Sequence, residues 1–292
     1  MEKYIMKLKP ALRDILWGGT KLADEYGKGK PGQRIAETWE LSCHPDGVGV
    51  IGSGLYAGMK LTEYLGTEDF PTLIKLIDAR DDLSVQVHPA KTEMWVIVDC
   101  DEGAQLVYGL KDKFDEGVFR RALEEGRIGS LLNTVPVHKG DVFFIPSGLV
   151  HAIGKGILIA EIQQSSNVTY RVYDYGRLQN GKPRQLHVEE AIRTIRDFTE
   201  DELTALRYAA SPKAPEARLA STAYFTTDSL TVSEGNDARL DAAESWICLI
   251  CIGGSVSVGD LALAKGETAF VPAGFGQFTV SGAGELLVTQ IL

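Results

Sequence analysis

Short apolar runs, separated by turn-forming residues, make up most of the chain. They are rich in Val, Ile, Leu and aromatic residues, and Gly, Asp and Pro lie between them. This pattern is typical of the strands of an antiparallel sandwich or barrel. The clearest predicted strands are 73–78, 83–88, 94–100, 104–110, 141–146 and 157–164.

A few segments follow a helical period instead. Apolar positions predict a helix over 116–133, which Gly126 divides into two, and another helix over 188–198. A shorter helix is predicted at 61–66. The segment 199–217 contains two prolines and has no strand pattern, so we expect it to connect two halves of the chain.

One motif occurs twice. Residues 140–151 read G-x5-P-x-G-x2-H, and residues 266–277 read G-x5-P-x-G-x2-Q. Each copy describes a turn glycine, a buried strand and a second turn that presents one polar side chain, His151 or Gln277. Because glutamine is a far poorer metal ligand than histidine, we expect the chemistry in the first copy. The predicted fold is mainly β, with two related barrels divided as follows: residues 1–198 with a helical insertion near 114–133, the connection 199–217, and a degenerate second barrel at 218–292.

The charge balance narrows the class of partner. The formal net charge of the 292 residues is -10, so we expect no nucleic-acid partner. No apolar run approaches the roughly 20 residues that span a bilayer, so we expect no membrane partner. A small anionic substrate remains compatible, because a pocket needs only a few local cations. The cysteine spacing suggests no disulfide framework and favours a cytoplasmic setting with free thiols at Cys43, Cys100, Cys248 and Cys251.

Four polar residues have the spacing of a metal site. Gln86 and His88 are two apart on a predicted strand, so their side chains share a face. Glu93 follows five residues later, at the start of the next predicted strand, and His151 follows the turn of the first repeated motif. Two imidazoles, a carboxylate and an amide suit one borderline divalent ion such as Zn²⁺, with Mn²⁺, Fe²⁺ and Co²⁺ as alternatives. Any one of these residues alone would be explained as a structural polar group, and it is their combined spacing that indicates the site.

The order Q-x-H-x4-E and then G-x5-P-x-G-x2-H resembles the two motifs of the cupin superfamily, with Gln86 in place of the usual first histidine. Over about residues 4–198 the chain also resembles the short bacterial form of the type I phosphomannose isomerases. That resemblance implies two cupin-type (jelly-roll) β-barrels with a few short helices, one bound zinc ion, and interconversion of mannose 6-phosphate and fructose 6-phosphate. It is carried by ILWGG, ETWELS, QVHP, KTEMW and GDVFFIPSGLVHAIGKGILIAEIQQSSNVTYRVYDYGR.

The resemblance also implies roles for individual residues. The zinc ligands that it implies are the four residues already reached from spacing. Arg171 matches an arginine that acts in the family's site, and Lys91 matches a lysine just before the glutamate ligand. Lys75 and Ser84 match positions that line the family's pocket. The segment 88–93 is shorter than is usual in the short form. Because this segment would border the mouth of the pocket, a related phosphosugar stays open as the substrate.

Aldose–ketose isomerisation moves a proton between C1 and C2 through a cis-enediol, so it needs a base and a group that stabilises the oxyanion. Lys91 is the first candidate for the base, because a nearby divalent cation favours a neutral amine. Glu161 is an alternative base or orienting group. Strand alternation gives it the same facing as Gln163, so we expect it to be buried and paired. Arg171 is permanently charged and suits the phosphate or the enediolate.

Two other functions fit part of the pattern. A cupin barrel can bind a sugar phosphate without turnover, and the shortened segment 88–93 favours that alternative. A metal-dependent dioxygenase is a third candidate, but it would leave the phosphate-suited cations without a role. The intact ligand set, together with Lys91 and Arg171, favours an isomerase that acts on a small phosphosugar.

Overall fold

The computed structural model describes residues 1–209 and 216–291, and strands predominate in it. None of the described helices has the length and apolar character needed to span a membrane. The helical elements are α1 (Lys21–Asp24), α2 (Leu61–Leu65), α3 (Glu116–Glu124), α4 (Val188–Thr194), α5 (Glu200–Ala205) and a 3₁₀ turn (Ile128–Ser130). The strands are β1 (Met6–Lys9), β2 (Ala11–Arg13), β3 (Glu37–Leu41), β4 (Val50–Ile51), β5 (Thr72–Ala79), β6 (Val85–Val87), β7 (Glu93–Cys100), β8 (Gln105–Leu110), β9 (Leu132–Pro136), β10 (Asp141–Ile145), β11 (His151–Ala152), β12 (Ile157–Gln164), β13 (Tyr170–Tyr173), β14 (Leu178–Gln179), β15 (Lys182–Pro183), β16 (Arg207–Ala209), β17 (Glu216–Ser221), β18 (Thr226–Val232), β19 (Ala238–Asp241), β20 (Ile247–Val258), β21 (Leu261–Ala264), β22 (Thr268–Val271) and β23 (Gln277–Gln290).

Two antiparallel sheets enclose the core of the first half. One has seven strands in the order β16-β10-β7-β12-β5-β3-β2, and the other has five in the order β13-β6-β11-β8-β9. Trp95 and Ile97 of β7 share a buried apolar cluster with Leu106 and Tyr108 of β8. The two sheets therefore face each other across a common core, as in a two-sheet barrel.

The second half forms a nine-stranded antiparallel sheet around a core of its own. Its long strands β20 and β23 pair along most of their length, and Leu249, Val280 and Val288 belong to the core that they enclose. Strands β1 and β4, from the beginning of the chain, complete this sheet because β1 pairs with both β22 and β4. The predicted fold class, mainly β with two barrels, is confirmed.

The pairing of β1 changes the predicted division of the chain. Met6–Lys9 lies in the sheet of the second half, with Leu8 opposite Thr268, although the sequence pattern grouped it with residues 1–198. Alternation along a strand identifies the strand but not its partner, and a partner this distant leaves no local signal. The boundaries at 198 and 218 stay a prediction.

The predicted helices are shorter in the structure. The expected helix 116–133 consists of α3 and the 3₁₀ turn, with Gly126 between them at a φ of 66°. Its last residues already belong to strand β9, Leu132–Pro136. The expected helix 188–198 ends at Thr194. In both cases the apolar stripe continues past the end of the helix, because strand or loop residues such as Leu132 and Ile195 also pack against the core.

The predicted connection 199–217 contains regular structure in its described first part, where α5 and β16 lie. Thr199 accepts a hydrogen bond from the backbone N–H of Glu202, and the Glu202 carboxylate accepts one from the backbone N–H of Thr199. This capping box is visible in the sequence as T-x-x-E, which is the signal that the composition of the segment obscured. Residues 210–215 lie outside the described part of the chain.

The seven-stranded sheet has an apolar back and a polar front. Leu76, on the back, shares a buried cluster with Phe270 of the second half, so the second barrel packs on this face. On the front, Lys75 of β5, Glu161 of β12 and Trp95 of β7 lie opposite one another in register. Since side chains alternate between faces, the same strands serve both the contact between the barrels and the interior of the first barrel.

Candidate metal centre and substrate cleft

The four predicted ligands come from both sheets of the first barrel. Gln86 lies on β6, His88 directly follows it, and His151 begins β11 opposite Gln86. Glu93 begins β7 of the facing sheet. The turn before His151 is tied to this group, because the N–H of Gly148 donates to the carbonyl oxygen of His88 at 3.0 Å. Gly148 has a φ of 89°, which glycine adopts without steric cost.

The polar atoms of these side chains converge on one point. Nε2 of His151 is 3.1 Å from Nε2 of His88 and 3.3 Å from the amide nitrogen of Gln86. Nε2 of His88 is 3.1 Å from Oε1 of Glu93. Among the His, Cys, Asp and Glu side chains of residues 1–209 and 216–291, one group has the spacing of metal ligands, and it consists of His88, Glu93 and His151. Rotation of the Gln86 amide by half a turn presents its oxygen to the same point.

Backbone carbonyl groups fix the tautomer of both imidazoles. Nδ1 of His88 lies 2.8 Å from the carbonyl oxygen of Val168, and Nδ1 of His151 lies 2.8 Å from that of Leu149. A carbonyl oxygen only accepts, so each Nδ1 carries the proton and each Nε2 keeps its lone pair. Two lone pairs and the carboxylate oxygen of Glu93 then face one another, and they repel unless a cation lies between them. The donor set therefore fits a divalent metal ion.

The protonation states match those that metal binding requires. Burial and the neighbouring His88 lower the pKa of His151 to about 3, and burial and Lys91 lower the pKa of His88. Burial opposes ionisation of Glu93, but Lys91 and the histidines hold the pKa of Glu93 well below its usual range. Oε1 of Glu93 has no aligned hydrogen-bond donor among the described residues, although the Lys91 ammonium lies against it. At neutral pH the centre holds two neutral imidazoles and a carboxylate.

A cleft of about 400 Å³ opens beside this centre. The chain as a whole is acidic, yet the cleft has a cluster of cations, which suits an anionic substrate. A larger cleft, about 570 Å³, lies beside α5 and contains none of the four predicted ligands. The charged and ligand side chains that line the smaller cleft are Arg13, Glu37, Lys75, Gln86, Lys91, Glu161, Arg171, Arg184 and His187.

Lys75 and Glu161 form a buried ion pair in this cleft. Nζ of Lys75 is 2.9 Å from Oε1 of Glu161, and the two side chains are 7% and 6% exposed. Glu161 is thus buried and paired, as strand alternation predicts. Burial and the Glu93 carboxylate raise the pKa of Glu161. Burial alone would lower the pKa of Lys75, but the carboxylates of Glu161 and Glu37 raise it.

Arg171 lies on the facing sheet. It is opposite Gln86 in the pairing of β13 with β6, which places it on the strand next to the one that carries Gln86 and leads into His88. Its Nε donates to Oγ of Ser84 at 3.1 Å, and its Nη1 donates to a backbone carbonyl at 2.9 Å. Arg184 is also in the cleft, and its Nε and Nη2 donate to the two oxygens of the Asp174 carboxylate. The structure therefore brings Arg171 and Ser84 together at the cleft.

Two neighbours of the centre were missed by the sequence-based prediction of the site. Nε1 of Trp95 lies 3.1 Å from Oε2 of Glu93 and 2.9 Å from Oε2 of Glu161. Oε1 of Gln163 accepts a hydrogen bond from Nζ of Lys91 at 3.3 Å. Alternation along β12 could have indicated Gln163, because it faces the same way as Glu161. No local signal indicates Trp95, since its contacts depend on the register between strands.

A two-sheet β-barrel that holds a buried His-Glu-His donor set beside a cation-lined cleft defines a cupin with a metal-binding centre. Within residues 216–291 the second half of the chain repeats the barrel without that donor set. Residues 5–105 match a family model described as the catalytic domain of type I phosphomannose isomerase, and residues 216–291 match one described as the cupin domain of mannose-6-phosphate isomerase. The chain belongs to the type I mannose-6-phosphate isomerase family.

Relatives and solved structures agree with this assignment along the whole chain. Mannose-6-phosphate isomerase ManA of Bacillus subtilis is 35% identical, covering 97% of this chain and 98% of the relative. Mannose-6-phosphate isomerase of Streptococcus mutans is 34% identical, with 97% of each covered. The crystal structure of the Bacillus subtilis enzyme superposes with a TM-score of 0.81 at 29% identity, covering 99% of this chain and 100% of that one. A mannose 6-phosphate isomerase solved with zinc and yttrium has the same fold, with a TM-score of 0.76 at 17% identity, covering 99% of this chain and 100% of that one.

Proposed function

We propose that this protein interconverts mannose 6-phosphate and fructose 6-phosphate as a metal-dependent aldose–ketose isomerase. The observation that carries the proposal is the donor set of His88, Glu93 and His151 beside a cleft rich in cations. A phosphosugar needs both features, because its phosphate requires cations and its reacting oxygens require an electrophile. The names of the relatives, which match over nearly the full chain, support this choice of substrate.

We assign one zinc ion to Gln86, His88, Glu93 and His151. A nitrogen-rich set with one carboxylate suits zinc, and the relative solved with zinc has the same fold. When bound, such an ion supplies Lewis-acid polarisation of the carbonyl and hydroxyl oxygens of the substrate. The chain contributes by holding both histidines as neutral, oriented ligands through backbone carbonyls.

Lys91 is the proposed base. Its side chain is 4% exposed, lines the cleft and lies beside Glu93. An amine at this place can take a proton from C2 of the aldose and return it to C1 of the enediol. Glu161 is the alternative base. It is less suited to that role, because Lys75 binds its carboxylate at 2.9 Å, and we assign it to orienting Lys75.

Arg171 is the proposed contact for the phosphate or the enediolate oxyanion, because its guanidinium is charged at every accessible pH. Ser84 supports it by accepting the hydrogen bond from its Nε. Lys75 also lines the cleft, and we propose that it contacts a substrate oxygen. Its charge is partly offset by Glu161, so we expect Arg171 to contribute more to binding the phosphate dianion.

The test combines metal content with turnover. We expect the purified protein to contain one zinc ion per chain by mass spectrometry and to convert mannose 6-phosphate to fructose 6-phosphate. A chelator should abolish turnover and added zinc should restore it. His88→Ala should lose both metal and turnover, whereas His138→Ala, a matched change at an 80% exposed histidine, should keep both.

Each of the other outcomes would contradict a different part of the proposed function. Bound metal without turnover would refute mannose 6-phosphate as the substrate and lead to assays of related aldose phosphates and of binding alone. Oxygen consumption would indicate the dioxygenase alternative. A wild-type protein that binds no divalent metal would refute the metal site itself.

We also propose a cytoplasmic location. All four cysteines are free thiols, and the reducing cytoplasm keeps thiols in that state. Fractionation of cells that express the chain tests this, and recovery outside the cytoplasmic fraction would contradict it.

A further inference from the structure

Trp95 lies between the two buried carboxylates of the first barrel. Its Nε1 is 3.1 Å from Oε2 of Glu93 and 2.9 Å from Oε2 of Glu161. The residue is fully buried, and the pairing of β7 with β12 places it opposite Glu161. Because the indole has one N–H and no acceptor, this shared donor fixes how the ring is oriented in the core.

The hydrogen bond from Trp95 gives the two oxygens of Glu93 different surroundings. Oε2 accepts the indole N–H, whereas Oε1 lies 3.1 Å from Nε2 of His88 and against the Lys91 ammonium, with no aligned hydrogen-bond donor within the described residues. With Oε2 held, the carboxylate cannot rotate freely about its last bond. Oε1 is therefore the oxygen that Glu93 presents to the point where the histidine nitrogens converge.

Trp95 also contacts a second member of the donor set. Its ring centroid is 5.3 Å from that of His151 and the planes meet at 75°, an edge-to-face contact. His151 is held at its other side by the carbonyl oxygen of Leu149. The ring of Trp95 and this carbonyl together restrict how the imidazole can tilt.

We propose that Trp95 is a positioning residue of the metal centre, acting through Glu93 and His151. The inference rests on the metal site proposed above. Glu161 holds the indole from the side of the cleft and is itself held by Lys75. Groups that orient metal ligands in this way typically contribute about 10- to 100-fold to metal affinity.

The substitution Trp95→Phe keeps an aromatic ring and removes the N–H. We expect its affinity for zinc, measured by competition with a chromophoric chelator, to fall about 10-fold or more. Excess zinc should restore most of the turnover number, with the KM for mannose 6-phosphate little changed. That recovery separates a positioning role from a catalytic one.

A matched control lies in the same sheet. Trp39 is 1% exposed, and its Nε1 donates to Oε2 of Glu37 at 2.8 Å, so Trp39→Phe removes the same kind of bond. Glu37 is not among the proposed ligands, so we expect zinc affinity in this variant to stay at the wild-type value. The apo forms of the two variants should lose similar thermal stability.

Two results would overturn the proposal: unchanged zinc affinity in Trp95→Phe, or an equal loss in both variants. If Trp95→Phe does not fold, 3-benzothienylalanine at position 95 keeps the shape and replaces only the N–H by sulfur, with the same expectation and the same contrary result. A wild-type protein that binds no zinc refutes the proposed metal site. A wild-type protein that binds zinc and turns over, beside a variant of unchanged affinity, refutes only the role of Trp95.

Discussion

Buried charged residues in the first barrel lie beside side chains of opposite charge. Lys91 lies against Glu93, and Lys75 pairs with Glu161. A buried charge without a partner costs several kcal/mol, so removing either member of these pairs destabilises the folded chain as well as changing the site. A substitution here tests a chemical role only when metal content and stability are measured beside activity.

The role of Lys91 is testable in that way. Lys91→Met removes the amine and keeps most of the side-chain volume, so we expect the turnover number to fall about 10²- to 10⁴-fold. Zinc content should be retained, because Lys91 is not a proposed ligand. Steady-state kinetics and mass spectrometry check the two expectations. Lys155→Met, at an exposed position, is the control and should keep full turnover. Full turnover in Lys91→Met would exclude this lysine as the base.

The site was predictable at the residue scale wherever a local rule applied. Gln86 and His88 are two apart where β6 ends, so alternation predicts that their side chains share a face, and the repeated turn motif indicated His151. The hydrogen bond from Trp95 to Glu161 was not predictable, because it depends on how β7 pairs with β12, and the local sequence does not determine that register. Local spacing places side chains on faces, and tertiary register decides which of them meet.

Among the elements, the hairpin of β14 and β15 borders the cleft and is fastened at its base. The Asp174 carboxylate binds Arg177 on one side of the hairpin and Arg184 on the other. Arg184 lines the cleft, so these two ion pairs hold a cation in the cleft proposed to bind the phosphosugar. Burial raises the pKa of Asp174, but the hydrogen bonds from both arginines lower it below its usual value of 3.8.

The lowered pKa of Asp174 predicts the direction in which stability changes with pH. Because the folded-state pKa is depressed, ionised Asp174 stabilises the folded chain at neutral pH, and the contribution is lost as the pH falls through the lowered pKa. We expect Asp174→Asn to lower the free energy of unfolding by about 1–3 kcal/mol at pH 7 and to raise the KM for mannose 6-phosphate. Denaturant titrations across pH should show the difference from wild type shrinking below about pH 4. Asp112→Asn, at an exposed position, should show no such convergence, and a difference independent of pH would contradict the assignment.

Elements with strong local signals were predicted well, and those that depend on context were not. The apolar run 157–164 is strand β12 with the same bounds, because both faces of that strand are buried. The helix α5 was missed because two prolines elsewhere in 199–217 outweighed its capping box. The place of β1 in the second sheet lay beyond any local rule, since its partner β22 is at the other end of the chain.

In the molecule as a whole, a buried polar network joins the two barrels. Glu40 of β3 is fully buried and accepts hydrogen bonds from Nζ of Lys28 at 2.8 Å, Oγ1 of Thr38 at 2.6 Å and Oγ1 of Thr268 at 2.6 Å. Thr268 belongs to β22 of the second barrel. The network therefore requires the second barrel to sit in one position on the back of the seven-stranded sheet.

The substitution Glu40→Gln tests whether this network stabilises the contact between the two barrels. It leaves the buried Lys28 ammonium without a charged partner, so we expect the free energy of unfolding to fall by about 3–5 kcal/mol. Turnover per folded molecule should stay at the wild-type value, because Glu40 lies outside the cleft. Glu189→Gln breaks an exposed pair with Arg120 and should cost less than about 1 kcal/mol. Equal losses of unfolding free energy in the two variants, measured by denaturant titration, would show that the network does not stabilise the contact between the barrels.

The position of β1 also affects how the chain folds during its synthesis on the ribosome. β1 precedes the entire first barrel, and β22 follows it, with Leu8 opposite Thr268 in the finished sheet. A ribosome therefore releases the first strand long before the strand that pairs with it exists. Until then the apolar back of the seven-stranded sheet is also uncovered, since Phe270 and its neighbours have not been translated. We expect nascent chains in this interval to depend on chaperones, and the first residues to be among the last to find their place.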